Sequence, residues 1–184
     1  FLLVYSTACL KAELLPTSTG PNLDNLAPLV GVERLEAGKA TAVIRFTLSA
    51  PRTSATGIPE GTQVRTADKR YFKTEKYAEI LPGELTVDVV AVADEAGSNS
   101  DGIAEGEINV LVDPIPYVSG AKSVSASTGG TDTEGDDSFT RRINYAPSIF
   151  SVAGPVDAYE YFASSWRSDV ADTKIVCKEG YTIH

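Results

Sequence analysis

Between Ala40 and Leu48 every second residue is apolar and inward-type: Ala40, Ala42, Ile44, Phe46 and Leu48 alternate with Thr41, Val43, Arg45 and Thr47. Successive side chains of a strand point to opposite faces, so this run predicts a β-strand with one buried face. The pattern returns at Leu85, Val87, Val89 and Ala91, alternating with Thr86, Asp88, Val90 and Val92, and predicts a second such strand. Shorter strands are expected at 63–66 and 71–74, on either side of the polar turn 67–70. The apolar run 108–112 reads as a buried strand, with Val110 and Val112 favouring it. Ile58-Pro59-Glu60-Gly61 fits a type I turn, with Pro second and Gly fourth, and Pro82-Gly83 the centre of a type II turn. Residues 93–106 are polar and glycine-bearing, too irregular for a regular element. Closely spaced strands with turn signals between them predict a compact antiparallel β unit over about residues 40–124.

Elsewhere the period is helical. Residues 1–15 are rich in Leu and Ala and end at Pro16, which helices rarely pass; they read as the tail of a longer helix. Residues 16–21 are a loop by composition. Asn22 or Asp24 is placed to cap a short helix in which Leu23, Leu26 and Leu29 recur at helical spacing, kept short by Pro28 and Gly31. Residues 136–146 predict a helix stopped by Pro147, and Gly154-Pro155 open another. In that last helix Val156, Tyr159, Phe162, Trp166 and Val170 step by three or four, a stripe expected to be core. Residues 173–178 and 181–183 read as strands about a Glu179-Gly180 turn.

The expected fold is therefore α+β: an antiparallel β-rich module followed by a two-helix plus strand segment, with a truncated N-terminal helix. The expected organisation is a helical lead-in and connector at 1–35, a β-rich domain at 36–125, and an α+β segment at 126–184, truncated at its C-terminal end. The junction lies in TGGTDTEGDDSFTRR, residues 128–142. Thr133 and Asp136 stand as a helix-capping pair, with an acid in place of the usual Glu or Gln. Asp132, Glu134, Asp136 and Asp137 are expected to crowd the positive end of the helix dipole as a solvated face. Arg141 and Arg142 lie further along it, with Asp137 and Arg141 at the spacing of a surface pair.

Charge and size narrow the function. A chain of 184 residues buries roughly 70% of its unfolded surface, enough for one fair-sized domain or two small ones. Its formal net charge of −9 argues against nucleic acid, whose phosphates need clustered Lys and Arg, and against an anionic membrane surface. The apolar start is well short of the roughly 20 residues of a membrane span. Cys9 and Cys177 are far apart and in no metal-type spacing, so both are expected as reduced thiols in a protein assembled in the cytoplasm. There is no methionine, and the chain reads as a fragment cut inside a helix.

Candidate chemistry is sparse. The one histidine is His184, so no Ser-His-Asp or Cys-His arrangement is expected inside the fold. Gly129-Gly130 lacks the Lys-Ser or Lys-Thr of a phosphate loop. Asp132, Glu134 and Asp136 alternate as calcium ligands do, but counting an EF-hand loop from Asp132 puts Asp137 at position six and Ile143 at position twelve, where Gly and Glu are required. No catalytic residue, cofactor or metal is expected.

Three blocks of sequence together resemble the baseplate J-like family. The first is a small Gly-containing loop, Leu-Asp, then Gly-x-x-Arg before the first strand, matched by Leu23, Asp24, Gly31 and Arg34. The second is Ile-Pro-x-Gly-Thr-x-Val followed by Phe-x-Thr, matched by Ile58, Pro59, Gly61, Thr62, Val64, Phe72 and Thr74, with residues 97–111 similar to its continuation. The third is Gly129, Gly130, Asp132, Glu134 and Arg142 in the family's order. The blocks and their spacings cover most of the chain. One departure precedes the third block, where the family often has Val-x-Asn and this chain has Val124 between Ser123 and Ser125.

The resemblance implies a non-enzymatic structural protein, part of the wedge of a contractile phage tail or related contractile injection system. It implies wedge and hub proteins as partners, self-association in a ring, and transmission of the contraction signal to the sheath. It also implies assembly in the host cytoplasm before residence in the tail or injection-system baseplate. Composition alone also fits a β-rich adhesin or binding module of a bacterial surface protein. A glycan-degrading tail domain would need two positioned carboxylates, which nothing in the sequence supplies.

Overall fold

The computed structural model describes residues 17–146 and 156–170. The helix expected at 1–15, the strands expected at 173–183, and Cys9, Cys177 and His184 lie outside them. The chain divides into two compact units, Ala37–Asp132 on one side and Phe1–Glu36 with Thr133–His184 on the other.

The first unit is an antiparallel barrel. Its six-stranded sheet runs β7 (Ile108–Leu111), β3 (Gln63–Thr66), β4 (Tyr71–Thr74), β6 (Thr86–Ala93), β1 (Thr41–Leu48), β8 (Val118–Ser123). The terminal strands β7 and β8 lie side by side, which nearly closes the sheet on itself. The α+β class read from the sequence holds. The two long strands pair as the alternation requires: Ala42 faces Ala91, Ile44 faces Val89 and Phe46 faces Val87; Leu85, expected to open the inward face of the second strand, instead precedes β6 and is 44% exposed. Ile44, Phe46, Val64, Phe72, Ala91 and Ile108 are fully or almost fully buried inside, and this apolar burial is the main favourable contribution to the unit.

A two-stranded ribbon, β2 (Thr56–Ile58) with β5 (Ala78–Ile80), accompanies the barrel. Neither strand was legible in the sequence, and nor was β8. In VSGAKS only Ala121 and Ser123 are buried, so small residues carry the inward face and leave no apolar alternation to see. Two expectations need correction. The run 108–112 is not a buried strand throughout: Ile108 is buried and Asn109 exposed, because β7 shows one face to water, and Val112, past the end of β7, is exposed. The Pro59 turn is shifted by one residue. Thr62 N–H donates to Pro59 O, and Gly61, third in the turn, has φ +78°, the backbone that a type II turn demands and glycine supplies without strain. The Pro82-Gly83 turn is as expected, with Glu84 N–H donating to Leu81 O across it.

The second unit holds α1 (Pro21–Leu26), a 3₁₀ turn Ala27–Val30, α2 (Asp136–Tyr145) and α3 (Val156–Ser164). Neither Asn22 nor Asp24 caps α1: the cap is Gly20 without a side-chain bond, and Pro21 takes the first turn, where its missing N–H costs nothing. The buried stripe is Leu23 and Ala27, not Leu23, Leu26 and Leu29; Leu29 is 81% exposed because Pro28 tightens the chain into a 3₁₀ turn. Leu23, Ala27, Val32, Phe139, Ile143 and Ala146 form the apolar cluster of this unit.

Candidate functional site

Residues 20–35 and 134–142 meet through charge. Glu134 and Leu35 exchange bonds: Glu134 N–H donates to Leu35 O at 3.0 Å, and Leu35 N–H donates to Glu134 Oε2 at 3.1 Å. That places the Glu134 carboxylate against Arg142, one and a half turns into α2. Arg142 Nε donates to Oε1 at 3.0 Å and Nη2 to Oε2 at 2.8 Å, a two-pronged pair of the kind whose planar geometries match. Arg142 Nη2 also donates to Glu33 O. The Glu134 and Arg142 side chains are 2% and 4% exposed. Both charges have left water, and each depends on the other to offset that loss.

Arg34 extends the network at the surface. Its Nε donates to Asp24 Oδ1 at 2.7 Å, its Nη1 to Glu134 O at 2.7 Å, and its Nη2 lies 2.8 Å from Asp136 Oδ1. Burial opposes the charge on Arg34, but Asp24 and Asp136 outweigh it and hold its pKa above the ordinary arginine value. Asp136 Oδ2 accepts from Gly20 N–H at 2.9 Å; that bond first, then Arg34, holds the carboxyl below its usual range. The guanidinium carbons of Arg34 and Arg142 lie 4.6 Å and 5.5 Å from the centroid of the buried Phe139 ring, within cation–π range.

The junction thus departs from its expected form. Thr133 and Asp136 make no capping pair: the cap of α2 is Gly135 with no side-chain bond, and Asp136 is the first helical residue. Asp136 and Asp137 do occupy the first turn. Glu134 is no part of a solvated dipole face, because it is buried against Arg142. Asp132 ties a loop instead, accepting from Ser98 N–H at 2.8 Å and Ser98 Oγ at 2.7 Å, bonds that lower its pKa.

The remaining positions on which the resemblance rests hold local geometry in the barrel unit. Thr62 N–H donates to Thr74 Oγ1 at 3.0 Å, while both hydroxyls donate to Pro59 O, at 2.7 Å from Thr62 and 2.8 Å from Thr74. Phe72, beside them, is fully buried. Gly130 donates its N–H to Asp101 Oδ1 at 3.0 Å, and a Cβ built on it would stand 2.7 Å from Gly97 O. Gly129 precedes it with φ +95°, and Gly31, with φ +73°, closes the 3₁₀ turn after α1. The three sequence blocks are therefore not one site: Leu23, Asp24, Gly31, Arg34, Glu134 and Arg142 belong to the helical unit, and the others to the barrel.

The expected core stripe of α3 is overturned. Tyr159, Phe162 and Trp166 are 55%, 58% and 79% exposed, because this nine-residue helix turns other residues inward; Tyr161 packs on the apolar cluster. Among the described residues no group of His, Cys, Asp and Glu could hold a metal ion, and no helix is long and apolar enough to cross a membrane.

Residues 43–130 match the family model described as the Baseplate J-like protein barrel domain. The resemblance is borne out over this stretch, which holds the second block and Gly129-Gly130; the first block and Asp132, Glu134 and Arg142 of the third lie outside it. No curated protein matches the chain. Among solved structures, a chain of the anti-feeding prophage baseplate, determined by cryo-EM and six-fold symmetrised, is similar at 14% identity and a TM-score of 0.49. The likeness covers 82% of this chain and 45% of that one, so the protein spans less than half the length of that neighbour.

Proposed function

We propose, from the match of residues 43–130 to the Baseplate J-like barrel domain model, that this protein is a non-enzymatic structural component of a contractile-tail baseplate wedge. In this reading it assembles around the tail hub with other wedge and hub proteins, repeats in a ring, and passes the contraction signal outward. The family match over the barrel carries the proposal. The physical requirements are a rigid module that docks and an element able to change partners. A nearly closed barrel with a buried apolar cluster inside suits the first, since closure removes exposed strand edges. The exposed aromatics of α3 suit the second.

Cryo-EM of baseplates assembled from the chain's own tail or injection-system proteins tests the reading. The expected result is barrel density repeated in a ring about the hub, with the helical unit against neighbouring wedge chains. Density only on peripheral fibres, or intact contracting baseplates formed without this protein, would overturn it.

A further inference from the structure

A polar cavity of about 480 Å³ lies on the barrel unit between the β3–β4 turn, 68–71, and the loop after β6, 94–100. Its volume falls within the roughly 300–1,000 Å³ of small-molecule sites. Both walls are fixed by their own bonds. Lys69 has φ +64°, a left-handed backbone uncommon for a residue with a Cβ. Thr66 holds it there: Thr66 O accepts from Lys69 N–H at 3.2 Å, Thr66 Oγ1 accepts from Arg70 N–H at 3.2 Å, and Thr66 N–H donates to Arg70 O at 3.0 Å. Arg70 Nη1 donates to Asn99 O at 2.7 Å and Asp94 N–H to Tyr71 O at 2.9 Å, which joins the two walls. Ser127 Oγ, donating to Ser100 O at 2.7 Å, holds the end of the second. A site fixed in advance spares a ligand the cost of ordering it.

The groups around this cavity divide into engaged and free. Asp68 is taken by Arg70 Nη2 at 3.2 Å, and Asp94 by Lys73 Nζ at 2.6 Å. Among the described residues no bond is made by the Lys69 ammonium, the Glu95 carboxylate, the Asn99 amide, or the Tyr71 and Ser100 hydroxyls. Ser100 is only 6% exposed, and a polar side chain enclosed to that degree ordinarily has a partner. Tyr71 is 37% exposed and presents ring surface at the cavity.

The free groups sum to no net charge: one cation, one carboxylate, one amide and two hydroxyls. A ligand of either sign would meet a like charge. Sugar hydroxyls both donate and accept, as this set does, and the C–H face of a pyranose suits the electron-rich face of an aromatic ring. We propose that this cavity binds a neutral saccharide of one or two pyranose rings, stacked on Tyr71 and hydrogen-bonded by Asn99, Ser100, Lys69 and Glu95. Its hydroxyls exchange bonds to water for bonds to protein, so the dissociation constant is on the order of 1 mM. The inference rests on the cavity and not on the baseplate reading.

The test is titration of the isotopically labelled whole chain with cellobiose, lactose and N,N′-diacetylchitobiose, followed by amide NMR shifts. Glucuronate, glucosamine and free serine serve as anionic, cationic and zwitterionic controls. The proposal expects at least one neutral disaccharide to give saturable shifts confined to residues 68–71 and 94–100. Each control should bind about fivefold more weakly. Tyr71→Ala should weaken that sugar about tenfold, while Tyr71→Phe keeps the ring and stays within about threefold of the parent. Asn99→Ala, at an exposed side chain without a bond, should leave thermal melting unchanged and weaken binding about fivefold. Binding of none of the three disaccharides, shifts elsewhere, a control that binds as tightly, or unaffected Tyr71→Ala and Asn99→Ala chains would each overturn it.

Discussion

The barrel unit and the helical unit bury different kinds of surface. The barrel interior is filled by Ile44, Phe46, Val64, Phe72, Ala91 and Ile108, with no charged side chain among its buried residues. The helical unit buries Leu23, Ala27, Val32, Phe139, Ile143 and Ala146 together with the charges of Glu134 and Arg142. Apolar burial is non-directional and spread over many side chains, so its loss is graded. A buried ion pair works only while both partners and their hydrogen bonds are in place. One unit tolerates variation around a pattern; the other depends on two positions eight residues apart.

The largest expected effects separate the two kinds of core. Glu134→Ala leaves Arg142 buried and unpaired and should destabilise by about 3–5 kcal/mol in urea unfolding. Phe46→Ala, a fully buried ring in the barrel, should cost about the same, 3–5 kcal/mol. The distinction lies in rescue. Glu134→Leu combined with Arg142→Met removes both charges and should recover most of the loss, whereas no second substitution is expected to do so for Phe46. If the double variant is as unstable as Glu134→Ala, the charge argument for the helical unit is wrong.

Gly130→Ala comes next. Its new methyl would stand 2.7 Å from Gly97 O and 3.0 Å from Asp101 Cβ, and overpacking of that kind costs about 1–3 kcal/mol. Thermal melting should register it in the barrel unit. A neutral result would mean that the loops around Gly97 and Asp101 yield freely.

A smaller effect is the acid limb of stability. Asp132 and Asp136 have carboxyls held below their ordinary value, chiefly by the N–H groups of Ser98 and Gly20. Groups lowered on folding contribute stability that is present above the unfolded pKa, about 3.9, and lost as pH falls through the lowered folded value. Asp136→Asn should therefore melt below the parent at neutral pH, with the gap narrowing below about pH 4. A gap independent of pH would remove ionisation from the account. The smallest effect is expected at Trp166, 79% exposed on the last turn following α3: Trp166→Ala should change stability by no more than about 0.5 kcal/mol. A loss of several kcal/mol would restore the core stripe that the spacing of α3 predicts.

Legibility followed the same divide. Ala40, Ala42, Ile44, Phe46 and Leu48 are all buried, as their alternation predicts, because a strand's two-residue period maps sequence directly onto faces. β3 and β4 appear at the residues expected. The short strands β2, β5 and β8 were silent, since three residues or a run of small ones carry no periodic signal. At the junction the acids were visible and their partners were not. Glu134 meets Leu35 and Asp136 meets Gly20 across about a hundred residues, and no local spacing encodes such a meeting. A helical stripe such as Tyr159, Phe162 and Trp166 tells which residues share a face, not whether anything covers it.

By itself the sequence determined the antiparallel β unit, its two long strands and their inward faces, the α2 helix, and three blocks of residues that resemble a baseplate family. These are local or periodic properties, fixed by backbone geometry and side-chain polarity within a few residues. Only the tertiary structure decided which acids are solvated and which are buried: Asp137 remains exposed while Glu134 is enclosed with Arg142. A carboxylate's environment depends on chain brought from far away, and the cost of burying a charge is met only where that chain supplies an opposite charge and donors.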